Sequence, residues 1–127
     1  MPYYERALKM YERLYKEQDH TYLATSLNNL GEVLQVLGQP DKALPYYERA
    51  LAMRQALHKA QDDPNLARSL NNMGSILSAL GQAEKASPYY ERALKMTERL
   101  HKDRDHPDLA RGLSNMGAVL KDLGQAD

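Results

Sequence analysis

Cysteine is missing from all 127 residues, which excludes disulfides and thiolate metal sites and leaves a reducing compartment open. Neither sign of charge is in excess: Lys plus Arg total 17 and Asp plus Glu total 17. A general nucleic-acid binder needs a basic stripe, so this balance argues against one. No apolar run approaches membrane-spanning length, and the opening MPYYERALKM has no signal-peptide apolar core. A cytoplasmic protein, or an excised part of one, with no membrane partner is the expectation.

What the chain has is repetition. Residues 2–10 read PYYERALKM, residues 45–53 PYYERALAM and residues 88–96 PYYERALKM, a spacing of 43 each time. Gly31, Gly74 and Gly117 keep the period, as do Gly38, Gly81 and Gly124. A fixed period in this range marks a solenoid whose units bury their apolar faces only against neighbours. The expected fold is all-α, one array over 1–127: a half-repeat 1–20, repeats 21–63 and 64–106, and a half-repeat 107–127.

Each repeat reads as two helices. The first, over 21–37, carries Leu23, Leu27, Leu30, Leu34 and Leu37 at steps of four and three, one apolar stripe on an amphipathic helix. Gly38 and its copies follow, where a left-handed cap wants glycine. The second helix spans 41–58, with copies at 2–15 and 84–101; Ala43, Tyr47, Ala50 and Leu51 lie on its apolar side. Pro64 and Pro107 suit a first helical position, with Asp63 and His106 as N-caps. Pro45 and Pro88 fall a turn inside the second helix, and the apolar pattern runs on through them. Glycine inside a helix costs roughly 1 kcal/mol against alanine. Its recurrence at Gly31, Gly74 and Gly117 predicts a close helix crossing, with Ala43, Ala50, Ala86 and Ala93 as small partners.

At about 100° per residue, Thr25, Asn28, Glu32 and Gln35 cluster away from the stripe, with Asn29 on the opposite flank. The copies are Arg68, Asn71, Asn72, Ser75 and Ser78, then Arg111, Ser114, Asn115, Ala118 and Lys121. Asparagine offers a donor and an acceptor, suited to the backbone of an extended peptide of any sequence. Arg68, Arg111 and Lys121 make the C-terminal end the basic one and favour an acidic group there; Glu32 stands at the other end. Neighbour-helix bonding for Asn29, Asn72 and Asn115, and a solvated face for Arg68 and Arg111, are the competing readings.

The string L-x-x-L-G-x-x-L-x-x-x-G at 27–38 and its two copies, followed by Ala43, Tyr47 and Ala50, resembles the tetratricopeptide repeat. The match is to the longer-period variety of kinesin light chains and bacterial tandem arrays. Leu27, Leu70 and Leu113 replace an aromatic of the shorter repeat, and the loops are longer. The resemblance implies a right-handed superhelix of antiparallel helix pairs whose concave side, lined by first helices, holds a peptide or partner protein without chemistry. The positions just named match its ligand-facing ones. The lysine-rich carboxylate clamp of chaperone-binding members is incomplete, since Asn28 and Glu32 stand where it needs lysine and asparagine.

Six helices result, opening on a second-type helix and closing on a first-type one, with no polar cap at either end. Tyr4, Leu8, Tyr11 and Tyr15 at the start, and Leu113, Met116, Leu120 and Leu123 at the end, are expected to lie partly bare. A second reading therefore makes the chain a self-associating assembly module, joined head to tail or by swapping, or a designed or recently duplicated array without a ligand. No catalytic, metal or cofactor site is assembled. Of His20, His58, His101 and His106, three fall at or near loops, and His101 with His106 lack the i, i+4 spacing of a helical metal pair; no phosphate loop, nucleophile–base pair or carboxylate pocket emerges from units so regularly copied.

Overall fold

The computed structural model describes residues 2–15, 20–59, 61–102 and 104–124. These form six α-helices and, among the described residues, no strand: α1 Pro2–Tyr15, α2 Thr21–Val36, α3 Pro40–His58, α4 Pro64–Ala79, α5 Ala83–His101 and α6 Pro107–Asp122. They divide into two compact units, Met1–Ala60 and Gln61–Asp127. In the first, α2 packs against both α1 and α3; in the second, α5 packs against both α4 and α6.

Helix starts follow side-chain chemistry. Asp63 Oδ1 accepts from the Asn65 and Leu66 amides at 2.8 and 3.2 Å, and His106 Nδ1 accepts from the Asp108 amide at 3.0 Å. His20 does the same for α2, Nδ1 accepting from Tyr22 N–H at 3.1 Å; these bonds satisfy amides that have no partner within the helix. At the other end, Gly38 and Gly81 take φ near +75°. The Gln39 and Gln82 amides then reach back to Leu34 and Leu77 carbonyls at 2.9 and 2.8 Å, the paired bonding of a left-handed cap. Lys59 and Lys102 adopt the same left-handed region after α3 and α5, where the sequence offered no glycine to announce it. Pro45 and Pro88 lie inside continuous helices.

The core of each unit is the leucine stripe against the alanine side of the second helix. Leu23, Leu27 and Leu30 are buried with Ala43, Tyr47 and Ala50 in the first unit. Leu66, Leu70 and Met73 are buried with Ala86, Tyr90 and Ala93 in the second. The close approach at the helix glycines is made by a ring. A Cβ on Gly31 would stand 2.7 Å from Tyr47 Cε1, and one on Gly74 2.7 Å from Tyr90 Cδ1. The alanines are fully buried, but tyrosine is what the glycine admits.

One expectation about the first helix needs correction. Leu8 is buried, because α1 packs on α2; it is not part of a bare end. Tyr11 and Tyr15 are half-buried and occupied with other rings. Tyr11 stacks on Tyr15 and Tyr22, at 6.3 and 6.2 Å between centroids, and Tyr15 lies 3.7 Å from the His20 ring. These side chains tie α1 to the start of α2.

Candidate functional site

In the second unit a cleft of about 450 Å³ opens between α4, α6 and the end of α5. Arg68, Asn71 and Asn72 line it from α4, Asp108 and Arg111 from α6, and Thr97 and His101 from α5. The amphipathic register explains the α4 set: Leu66, Leu70, Met73 and Leu77 are buried, so positions 68, 71 and 72 fall on the flanks of that stripe. Asn71 and Asn72 are half-buried and Arg68 is exposed. The Asn71 Oδ1 atom is buried with no hydrogen-bond donor among the described residues.

In the first unit the corresponding pair of residues is arranged differently. There Arg54 is buried, 3 % exposed, and its Nη2 donates to Thr25 Oγ1 at 2.7 Å. One period later the two residues are exchanged: Arg68 occupies the place of Thr25, and Thr97 that of Arg54. Thr97 is short, and its hydroxyl donates to its own helix, to the Ala93 carbonyl at 2.8 Å. Thr97 is thus the shorter side chain at this position, and it lines the cleft together with Arg68.

Several of the residues named from sequence stand elsewhere. Asn28 is 4 % exposed and does not lie on an open face; Ser114, its copy on α6, is exposed. Gln35 Oε1 accepts from the Tyr47 hydroxyl at 3.0 Å, and the Tyr90 hydroxyl is hydrogen-bonded to Ser75 and Ser78. A tyrosine laid over a helix glycine reaches across to this side, so Gln35 and Ser75 belong to the seam between paired helices. Asn29 and Glu32 are half-buried. On α6, Asn115 is half-buried and Lys121 exposed; neither they nor Ser114 line the cleft. Arg111 is less available than its sequence position suggested, since Nη1 lies 3.4 Å from Asp108 Oδ1.

Thr97, His101 and Asp108 were overlooked. The 43-residue register could have found the first, because its copies Tyr11 and Arg54 differ so much in size. His101 and His106 come together face to face, 3.7 Å between centroids and 15° between planes. With Asp108 they offer three ligand-type atoms within 4.8 Å. Parallel rings, however, aim their in-plane lone pairs along separate planes, and His106 Nδ1 already caps α6. As arranged, His106 orders the start of α6 and the two stacked rings do not present their nitrogens along one direction.

Comparison with known proteins agrees with this geometry. The family described as Tetratricopeptide repeat matches residues 2–56, 22–99 and 65–127. No curated protein sequence matches the chain. Among solved structures, BtubC (BKLC) from P. vanneervenii is similar with 31% identity and a TM-score of 0.85, over 97% of this chain and 48% of that one. The present chain therefore spans about half the length of that relative. The TPR domain of Arabidopsis FLU is similar at 20% identity and a TM-score of 0.67, over 80% of each chain. A Podosopora anserina putative kinesin light chain with nearly identical TPR-like repeats follows at 17% and 0.70, over 95% of this chain and 59% of that one. The last two likenesses concern the fold alone. Among the described residues, no helix is long and apolar enough to cross a membrane.

Proposed function

The chain belongs to the tetratricopeptide-repeat family, and from that premise we propose that it is a protein-interaction module whose second unit holds an extended segment of a partner protein. Repeats of this family generally mediate protein–protein contact. One observation carries the finer reading: two guanidinium groups and two carboxamides, from Arg68, Arg111, Asn71 and Asn72, converge on one cleft. Carboxamides match the alternating donors and acceptors of an extended backbone, and guanidinium forks match carboxylates. A buried acceptor left without a donor costs about 1–3 kcal/mol; a small turn of the Asn71 side chain lets a ligand amide supply one. An acidic ligand residue takes over Arg111 from Asp108, whose carboxylate is half exposed and readily displaced. The role is one of holding, without chemistry.

Affinity capture from a lysate tests this, with the triple variant Asn71→Ala, Asn72→Ala, Arg111→Ala as control. The wild type is expected to retain partners that the variant loses. Identical sets of retained proteins would end the assignment of this cleft.

A further inference from the structure

The apolar faces that α1 and α6 leave open are complementary. Leu113 on α6 is 57 % exposed, whereas its copies Leu27 and Leu70 are 0 % exposed under α3 and α5. Tyr4 on α1 is 45 % exposed, whereas its copies Tyr47 and Tyr90 are 1 % and 7 % exposed against the helix glycines. The helix that covers the α4 stripe, α5, contains PYYERALKM at 88–96; α1 contains the same nine residues at 2–10. The α6 stripe, Leu109, Leu113, Met116, Gly117 and Leu120, is a near-copy of Leu66, Leu70, Met73, Gly74 and Leu77 on α4.

From this we propose that the chain associates head to tail: α1 of a second copy covers α6 as α5 covers α4. The repeat fixes the register. Tyr4 of the second copy lies over Gly117, as Tyr90 lies over Gly74. Charges carried by the same repeat agree with this register. Arg49 Nη2 on α3 lies 3.1 Å from Glu12 Oε2 on α1; two periods on, this pair becomes Arg6 of the second copy and Glu98. Arg99 Nε lies 2.8 Å from Asp62 Oδ2; one period on, this pair becomes Arg13 of the second copy and Asp105. Both arginines fall opposite carboxylates, a match that a random docking of two neutral surfaces does not supply. The contact uses different patches on the two copies, so it propagates unless it closes into a ring. This surface lies apart from the cleft: none of the paired residues lines it.

Sedimentation equilibrium of the 127-residue chain tests the proposal, with helical circular dichroism as the folding control. The wild type is expected to associate with rising concentration. Tyr4→Glu blocks the head and Leu113→Lys the tail, each weakening association at least about tenfold. Mixed together, they should form 1:1 dimers, because the intact head of one meets the intact tail of the other. Arg6→Glu should weaken association, and Arg6→Glu with Glu98→Arg in one chain should restore it. A wild type that stays monomeric throughout overturns the proposal, as does a mixture no more associated than its components. Failure of the double charge reversal to recover overturns the register, even where an apolar variant fails to fold.

Discussion

Gly31 and Tyr47 are fitted to each other: the phenol ring occupies the space where any Cβ on residue 31 would stand, 2.7 Å from Cε1 and 2.9 Å from Cδ1. Alanine at a helix interior normally gains about 1 kcal/mol over glycine. Here the ring is 1 % exposed, packed and unable to withdraw, so overpacking outweighs propensity. Gly31→Ala is expected to destabilise by about 1–3 kcal/mol, read as a lower urea midpoint. The cost should shrink in a Tyr47→Leu background, where the ring is gone.

Gly112 presents the opposite balance. A Cβ there meets first a methyl, Leu94 Cδ1 at 3.1 Å, with backbone no nearer than 3.8 Å. The copies at this position, Ser26 and Ser69, are buried side chains that fit, and a leucine methyl can turn aside. Gly112→Ala is expected to raise stability by about 0.5–1 kcal/mol, through a stiffer α6, and to raise the thermal midpoint. An unchanged or lower midpoint would show that Leu94 does not yield.

These two glycines mark what could and could not be read beforehand. The six helices, their glycine caps and the Asp63 and His106 starts were legible, because periodicity and capping are local and each is stated three times. Tyr47 packing also followed from the apolar pattern of its helix, and it is 1 % exposed. What escaped were facts set by the reach of long side chains across a seam. Asn28 sits near the polar flank by helix angle yet is buried. Gln35 and Ser75 are engaged by tyrosine hydroxyls from the facing helix. The cleft is lined in part by one exchanged pair, Arg68–Thr97 in place of Thr25–Arg54, whose meaning appears only when the two helices are placed side by side.

Burial pushes the Tyr90 hydroxyl above the ordinary phenol value of 10.0, against the opposing hydrogen bonds from Ser78 and Ser75. In the unfolded chain the phenol ionises at its ordinary value while the folded one stays neutral. The folded state then holds more protons, so stability is complete below pH 10 and falls as pH rises through the folded value. Tyr90→Phe removes this loss. The stability difference between wild type and variant, from urea unfolding, should shift in favour of the variant as pH climbs through that window, and stay flat below it.

Asp62 carries the converse dependence. Its two carboxylate oxygens accept from Arg99 Nη2 and Nε at 2.9 and 2.8 Å, and those hydrogen bonds hold its carboxyl below the usual 3.8. A depressed folded value means that the contribution is present above 3.8 and is lost as pH falls through the lowered one. Asp62→Asn should be slightly less stable than wild type at neutral pH. The gap, compared by urea unfolding, should close in acid; it should also narrow in high salt, since the pair faces solvent.

The exchanged pair allows the cleft to be closed by a rearrangement the chain already contains. Arg54 reaches Thr25 in the first unit at 2.7 Å with its side chain buried, so an arginine at that position is compatible with the fold when threonine faces it. Arg68→Thr with Thr97→Arg reproduces this arrangement in the second unit. The double variant is expected to unfold within about 1 kcal/mol of wild type, whereas Thr97→Arg alone, facing Arg68, should be several-fold less stable. With the cleft filled, the double variant should lose the partners that the wild type captures while its helical content is unchanged. Retention of those partners by a folded double variant would move the binding surface away from α4 and α6.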